Sequence, residues 1–193
     1  LVRAILQLPD YLERLRSGFR DIPLVLLPLM NDLRAVRGDN LLSEGALFSP
    51  NLNVTPIRHG DNKPPVEDLS QLARKLRSRY QFGLVGWYKN SQDAISLKRL
   101  AWVLLQFEQN CQQNECLKLF WVANGVVEGI MLGVIESSTS VKGLLGQIDW
   151  QIKSIMDNGE QLIASEPPSE LLQNLLFYIG RSEARGARVI ELK

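Results

Sequence analysis

Along most of the chain, apolar residues return every three or four positions, the period of a helix with one buried face. The clearest run is Val141, Leu144, Leu145, Ile148, Ile152, Ile155 and Met156, which keeps the i, i+3, i+4, i+7 spacing through successive turns. Alternation of polar and apolar positions, the mark of a half-buried strand, is confined to short ambiguous runs. The pattern predicts an all-α protein, a bundle of about seven antiparallel helices joined by short turns.

Punctuation divides the chain into three. In residues 1–38, "VRAILQL" and "PDYLERLRSG" form a first helical stretch, with Pro9 as a start or kink and Gly18 as a stop. Asp21 is the expected N-cap of "IPLVLLPLMNDLRAVRG", whose Leu26, Leu29, Met30, Leu33 and Val36 share a face. Pro28 should kink this helix and Gly38 should close it, which makes an N-terminal helical hairpin. Residues 39–65 lose the period and are rich in Pro, Gly and Asn. They read as a loop anchored by Leu47 and Phe48, long enough to be a domain boundary or a functional loop.

Residues 66–193 read as a helical bundle, which could form one domain with the hairpin. Its helices run from Val66, from Gln92 with Ser91 as N-cap, from Glu115 to about Ser137, from Thr139 through Ser165, and from Pro167. The closing "ARVIELK" reads as the start of another helix. The chain begins and stops mid-pattern, with no initiating Met and no signal peptide, as expected of a fragment of a larger polypeptide.

Residues 117–135, "LKLFWVANGVVEGIMLGVI", approach the length of a membrane span and carry Gly125, Gly129 and Gly133 at the spacing of close helix packing. Lys118, Asn124 and Glu128 argue against lipid, so a central helix of a bundle is expected, without membrane insertion. Glu128 then needs a partner, and Lys98 or Arg99 on the preceding helix are the candidates.

Charge adds little drive toward a polyanion. The 22 basic and 21 acidic residues leave a net +1, against recruitment by nucleic acid or an anionic membrane through bulk charge. Cys111 and Cys116 read as reduced thiols of a cytoplasmic protein, and neither His nor Cys shows metal-ligand spacing. Neither a metal nor a cofactor is expected. Phosphate-loop, HExxH, GxSxG and paired CxxC motifs are missing, so no catalytic residue is nominated.

The densest positive patch is "ARKLRSRY", with Arg74, Lys75, Arg77 and Arg79, extended by Lys89, Lys98 and Arg99. Such a run is a solvated helix face or a docking surface for an acidic partner. Tyr80, Phe82, Trp87 and Tyr88 follow it and are expected to pack a turn between helices, whereas Trp102, Trp121 and Trp150 are expected in the core.

Four passages together carry a resemblance: "LQLPDYLERLRSGFRDIPLVLLPLMNDLRAVRG", "LLSEGALFSPNL", "LKLFWVANGVVEG" and "PPSELLQNLLFYIGRSEARGARV". They resemble the N-terminal region of ChpA/PilL-type hybrid sensor histidine kinases, a region shared with the related scaffold protein FimL. The resemblance implies a place in the chemosensory, two-component system that controls type IV pili and twitching motility. It implies a phosphotransfer-like bundle without the acceptor histidine, acting as a non-catalytic scaffold for protein partners, response-regulator receiver domains among them. A working phosphotransfer histidine stands on an exposed helix face, with a lysine and a small residue close by. In "IRHGDNKP" the lysine follows His59 one position late, the glycine is displaced, and Pro56, Pro64 and Pro65 disfavour a helix. No phosphoacceptor is therefore expected. His59 serves as one only under the alternative of an active phosphotransfer domain, and a helical nucleic-acid-binding domain using the basic patch is the other alternative.

Overall fold

The computed structural model describes residues 2–19, 23–42, 45, 48, 50, 52 and 68–192. Asp21, Leu47 and His59, singled out above, lie outside these residues. The all-α class holds: the described residues form nine α-helices and one 3-10 turn and no strand. Two compact units divide the chain, Leu1–Ser49 and Pro50–Lys193.

In the first unit, α1 spans Val2–Arg16 as one helix through Pro9, and none of its residues is buried. A 3-10 turn, Pro23–Leu26, leads into α2, Leu27–Arg37. Pro28 falls in the first turn of α2, where an absent N–H costs nothing, so it starts the helix where a kink was expected. The buried positions of α2 are Leu27 and Leu29, while Val36 is 88% exposed and does not share their face. Gly38 closes the helix as expected: at φ 74° it lets its own N–H reach Ala35 O and that of Asp39 reach Arg34 O. The Asn31 side chain then clasps Leu42 at both its N–H (2.7 Å) and its carbonyl (3.0 Å), turning the chain back.

The second unit holds α3 (Leu69–Lys89), α4 (Ala94–Asn110), α5 (Asn114–Met131), α6 (Thr139–Asn158), α7 (Gln161–Ser165), α8 (Ser169–Arg181) and α9 (Ala187–Glu191). α3 packs between α4 and α6, and α5 lies on α4; α8 contacts both α5 and α6, and α9 sits on α5. Paired residues run in opposite directions along each seam. Ser96 meets Gly86 and Leu100 meets Gly83 between α3 and α4. Between α3 and α6, Tyr88 reaches Lys142, Tyr80 reaches Leu145 and Arg77 reaches Asp149. Both pairs of helices are therefore antiparallel. The stripe Val141, Leu144, Leu145, Ile148, Ile152 and Ile155 is buried as its period predicts.

Most of α5 is buried, and Phe120 stacks on Phe107 of α4 with ring centroids 4.6 Å apart. Among the described residues no helix is long and apolar enough to cross a membrane. α5 stops at Met131, because Gly133 turns left-handed at φ 72°. Its glycines serve packing within the chain: a Cβ at Gly125 would collide with Leu192, and one at Gly129 with Ile135.

Other helix boundaries also differ from expectation, besides the early end of α5. Asp93, not Ser91, caps α4, since its carboxylate accepts from the N–H groups of Ile95 (3.0 Å) and Ser96 (3.3 Å). The helix expected over 139–165 breaks after Asn158, where Gly159 at φ 76° ends α6 and leaves α7 as a separate turn.

Candidate interaction surface

The four basic residues of the sequence patch all lie on α3 and turn to different neighbours. Arg77 points to α6, where its Nε and Nη2 donate to the two carboxylate oxygens of Asp149 at 3.1 and 2.9 Å. That fork-to-fork pair is half-buried and shared with Gln81 Nε2 at 3.0 Å. The hydrogen bond that Arg77 donates to Asp149, opposed in part by burial, lifts the guanidinium pKa above its ordinary value, so Arg77 is a structural cation. Arg74 leans the same way, toward Met156 O at 3.5 Å. Arg79 goes the other way: its guanidinium lies over the Trp102 ring of α4, 4.2 Å from the centroid. Lys75 is exposed.

The aromatic residues divide in the same manner. Tyr80 and Trp87 are fully buried, and the Tyr80 hydroxyl donates to Leu145 O at 2.9 Å; burial holds its pKa well above the usual phenol value. Phe82 is 70% exposed and Tyr88 lies at the surface, so only half of this group packs the helix interior. Of the three tryptophans expected in the core, Trp121 is buried, but Trp102 is 40% and Trp150 is 67% exposed. Both sit off the buried register of their helices, a signal that the period alone contained. Arg79, Phe82 and Val85 on α3, with Ile95 and Trp102 on α4, make one exposed aromatic and basic strip along the α3–α4 seam. Isolated apolar side chains are ordinary on a surface, but Trp, Phe and Arg side by side are the composition of protein interfaces.

Glu128 does not meet Lys98 or Arg99. Its Oε2 accepts from the backbone N–H groups of Arg188 (3.0 Å) and Val189 (3.2 Å), in the first turn of α9. The guanidinium of Arg188 reaches Glu108 on α4 at 2.7 Å, and Asn124 Nδ2 lies 3.4 Å from the same oxygen. This network joins α4, α5 and α9, and no single segment of sequence announces it. Its chemistry is structural, as every carboxylate in it is committed to a donor.

Near the α4–α5 turn the fold gathers Cys111, Cys116 and Glu160, whose donor atoms all lie within 4.8 Å of one another. The two cysteines alone have no metal-ligand signature, because the third donor comes from the α6–α7 turn. An open, mostly apolar cavity of about 310 Å³ between α5 and α8 is lined by Leu52, Leu119, Pro168 and Leu172, with Glu115 the one charged group among the described residues that line it.

Comparison with known proteins finds one family and one curated relative. The chain is 29% identical over 195 residues to Scaffold protein FimL of Pseudomonas aeruginosa, a match that takes in 100% of this chain and 34% of that protein. It thus spans about a third of the length of the relative it matches. No solved structure matches it. Residues 65–193, the stretch that carries α3 to α9, match the family described as FimL scaffold protein second domain. The chain belongs to the FimL scaffold protein family through this second domain.

Proposed function

We propose that the chain is a non-catalytic scaffold module of a type IV pilus chemosensory system, working in the cytoplasm. In this reading it docks response-regulator receiver domains or polar scaffold partners through the strip of Arg79, Phe82, Val85, Ile95 and Trp102. The observation that carries it is the exposure of Phe82 and Trp102 beside Arg79, in a chain that belongs to a scaffold family. Aromatic and arginine side chains supply most of the binding energy at protein interfaces, and receiver domains are acidic around their phosphorylated aspartate. A helical bundle related to phosphotransfer domains, with no histidine on any described helix, suits a role in holding such partners without reacting with them.

The test is binding of receiver domains to the 193-residue chain and to a Phe82→Ala, Trp102→Ala double variant. The expected result is saturable binding that weakens by about tenfold or more in the variant, since hot-spot truncations each cost about 1 kcal/mol or more. Because both side chains are exposed, the thermal midpoint should move little. Unchanged affinity in the double variant would exclude this face. Transfer of labelled phosphate to the chain, abolished by His59→Ala, would replace the scaffold reading with a phosphorelay.

A further inference from the structure

We propose that Cys111, Cys116 and Glu160 form a binding site for a single thiophilic divalent cation of the zinc type. The Sγ atoms of Cys111 and Cys116 lie 3.0 Å apart, and neither cysteine is in a disulfide. They are 2% and 0% exposed. Three different places in the fold supply the donors. Cys111 caps the C-terminus of α4, Cys116 stands in the first turn of α5, and Glu160 follows the left-handed Gly159 between α6 and α7.

The carboxylate is already oriented. Glu160 Oε2 accepts from the backbone N–H groups of Gln112 (3.0 Å) and Gln113 (3.1 Å), which holds the carboxylate in place, with one of its oxygens within 4.8 Å of both sulfurs. Metal ligands are characteristically held in this way by an outer layer of hydrogen bonds.

Size and charge fit one ion. Zinc–sulfur bonds of about 2.3 Å at a tetrahedral angle place two sulfurs about 3.8 Å apart, so the thiols need to open by less than about 1 Å. On binding, each thiol gives its proton to solvent and a bond forms from each sulfur to the metal. Two thiolates and a carboxylate carry three negative charges, of which the ion offsets two. Thiolate donors select zinc-like ions over magnesium or calcium, and three protein ligands leave the fourth position to water. The ion would tie the α4–α5 turn to the α6–α7 turn. This proposal is independent of the docking strip, which lies elsewhere on α3 and α4.

Cobalt(II) is the probe, titrated into the 193-residue chain after reduction with a phosphine and removal of metals by a chelator. The expected result is one equivalent bound, with a sulfur-to-cobalt charge-transfer band that zinc bleaches by displacement. Cys116→Ser should lose the band. Glu160→Gln keeps both thiols and should bind on the order of tenfold or more weakly, the effect usual for lost support at a metal site. His59→Ala, which removes the single histidine, should change nothing. Three results would overturn the site: no band at stoichiometric cobalt, a band that survives Cys116→Ser, or an intramolecular disulfide formed by a chain that takes up no metal when reduced. Should Cys116→Ser fail to fold by circular dichroism, Glu160→Gln decides, and unchanged affinity there also overturns the proposal.

Discussion

Arg188 is held at two points by two carboxylates from different helices. Its guanidinium meets Glu108, whose side chain is 7% exposed, and its backbone N–H meets Glu128. Removing the arginine would strand Glu108 with only the long contact to Asn124. Arg188→Ala should therefore cost about 3 kcal/mol, the lower part of the range for breaking a buried pair, because the arginine itself is partly solvated. Replacing both partners, Glu108→Leu with Arg188→Met, should cost less than the single substitution; urea midpoints for the three chains would show the order. Asp93 is the second residue with a clear consequence. The Ser96 hydroxyl, then the Ser96 and Ile95 N–H groups, hold its pKa below the ordinary carboxylate range, against a smaller opposing effect of burial. A carboxylate with a depressed folded pKa contributes stability above its unfolded value and loses it as pH falls through the folded one. Wild type should lose stability below about pH 4, and Asp93→Asn should lose part of that acid dependence, as thermal midpoints across pH 2–6 would register.

At the scale of elements, the α3–α4 seam depends on a residue with no side chain. A Cβ on Gly86 would collide with Ser96 Oγ and stand 3.2 Å from Asp93 Oδ2, both in the cap of α4. Gly86→Ala should push the helices apart and cost about 1–3 kcal/mol, as overpacking does, with a fall in the thermal midpoint as the readout. The stripe of α6 and every helix of the second unit except α7 were legible in the sequence, since a 3.6-residue period reports a buried face directly. Helix ends were less so. Asp93 and Ser91 are both good caps by residue type, and the choice rests on which one reaches the Ile95 and Ser96 N–H groups. Long-range partners were not legible at all. Glu128 looked toward the neighbouring helix in sequence, but the backbone of α9, sixty or so residues later, supplies the donors at |i−j| of 60 and 61. In the basic patch, helical rotation sends Arg77 to Asp149 of α6 and Arg79 to Trp102 of α4, partners that residue type alone does not name.

For the whole molecule, burial is uneven between helices. None of α1 is buried, whereas most of α5 is. Amide exchange should follow that contrast: α1 protons exchange through local opening, and those of α5 only with unfolding of the second unit. Mass spectrometry after short deuterium pulses would show α1 saturated while α5 stays protected, and equal rates for the two would contradict the burial. The tryptophans carry a consequence of a different kind. Trp87 and Trp121 are buried, while Trp102 under Arg79 and Trp150 beside Lys153 face solvent. The chain thus has two optical populations of its own, one open to a dissolved quencher such as iodide and one shielded from it. A partner that covers the α3–α4 strip would dim the quenchable emission of Trp102 without touching the buried pair, so docking and unfolding would each leave a separate fluorescence signature with no label attached.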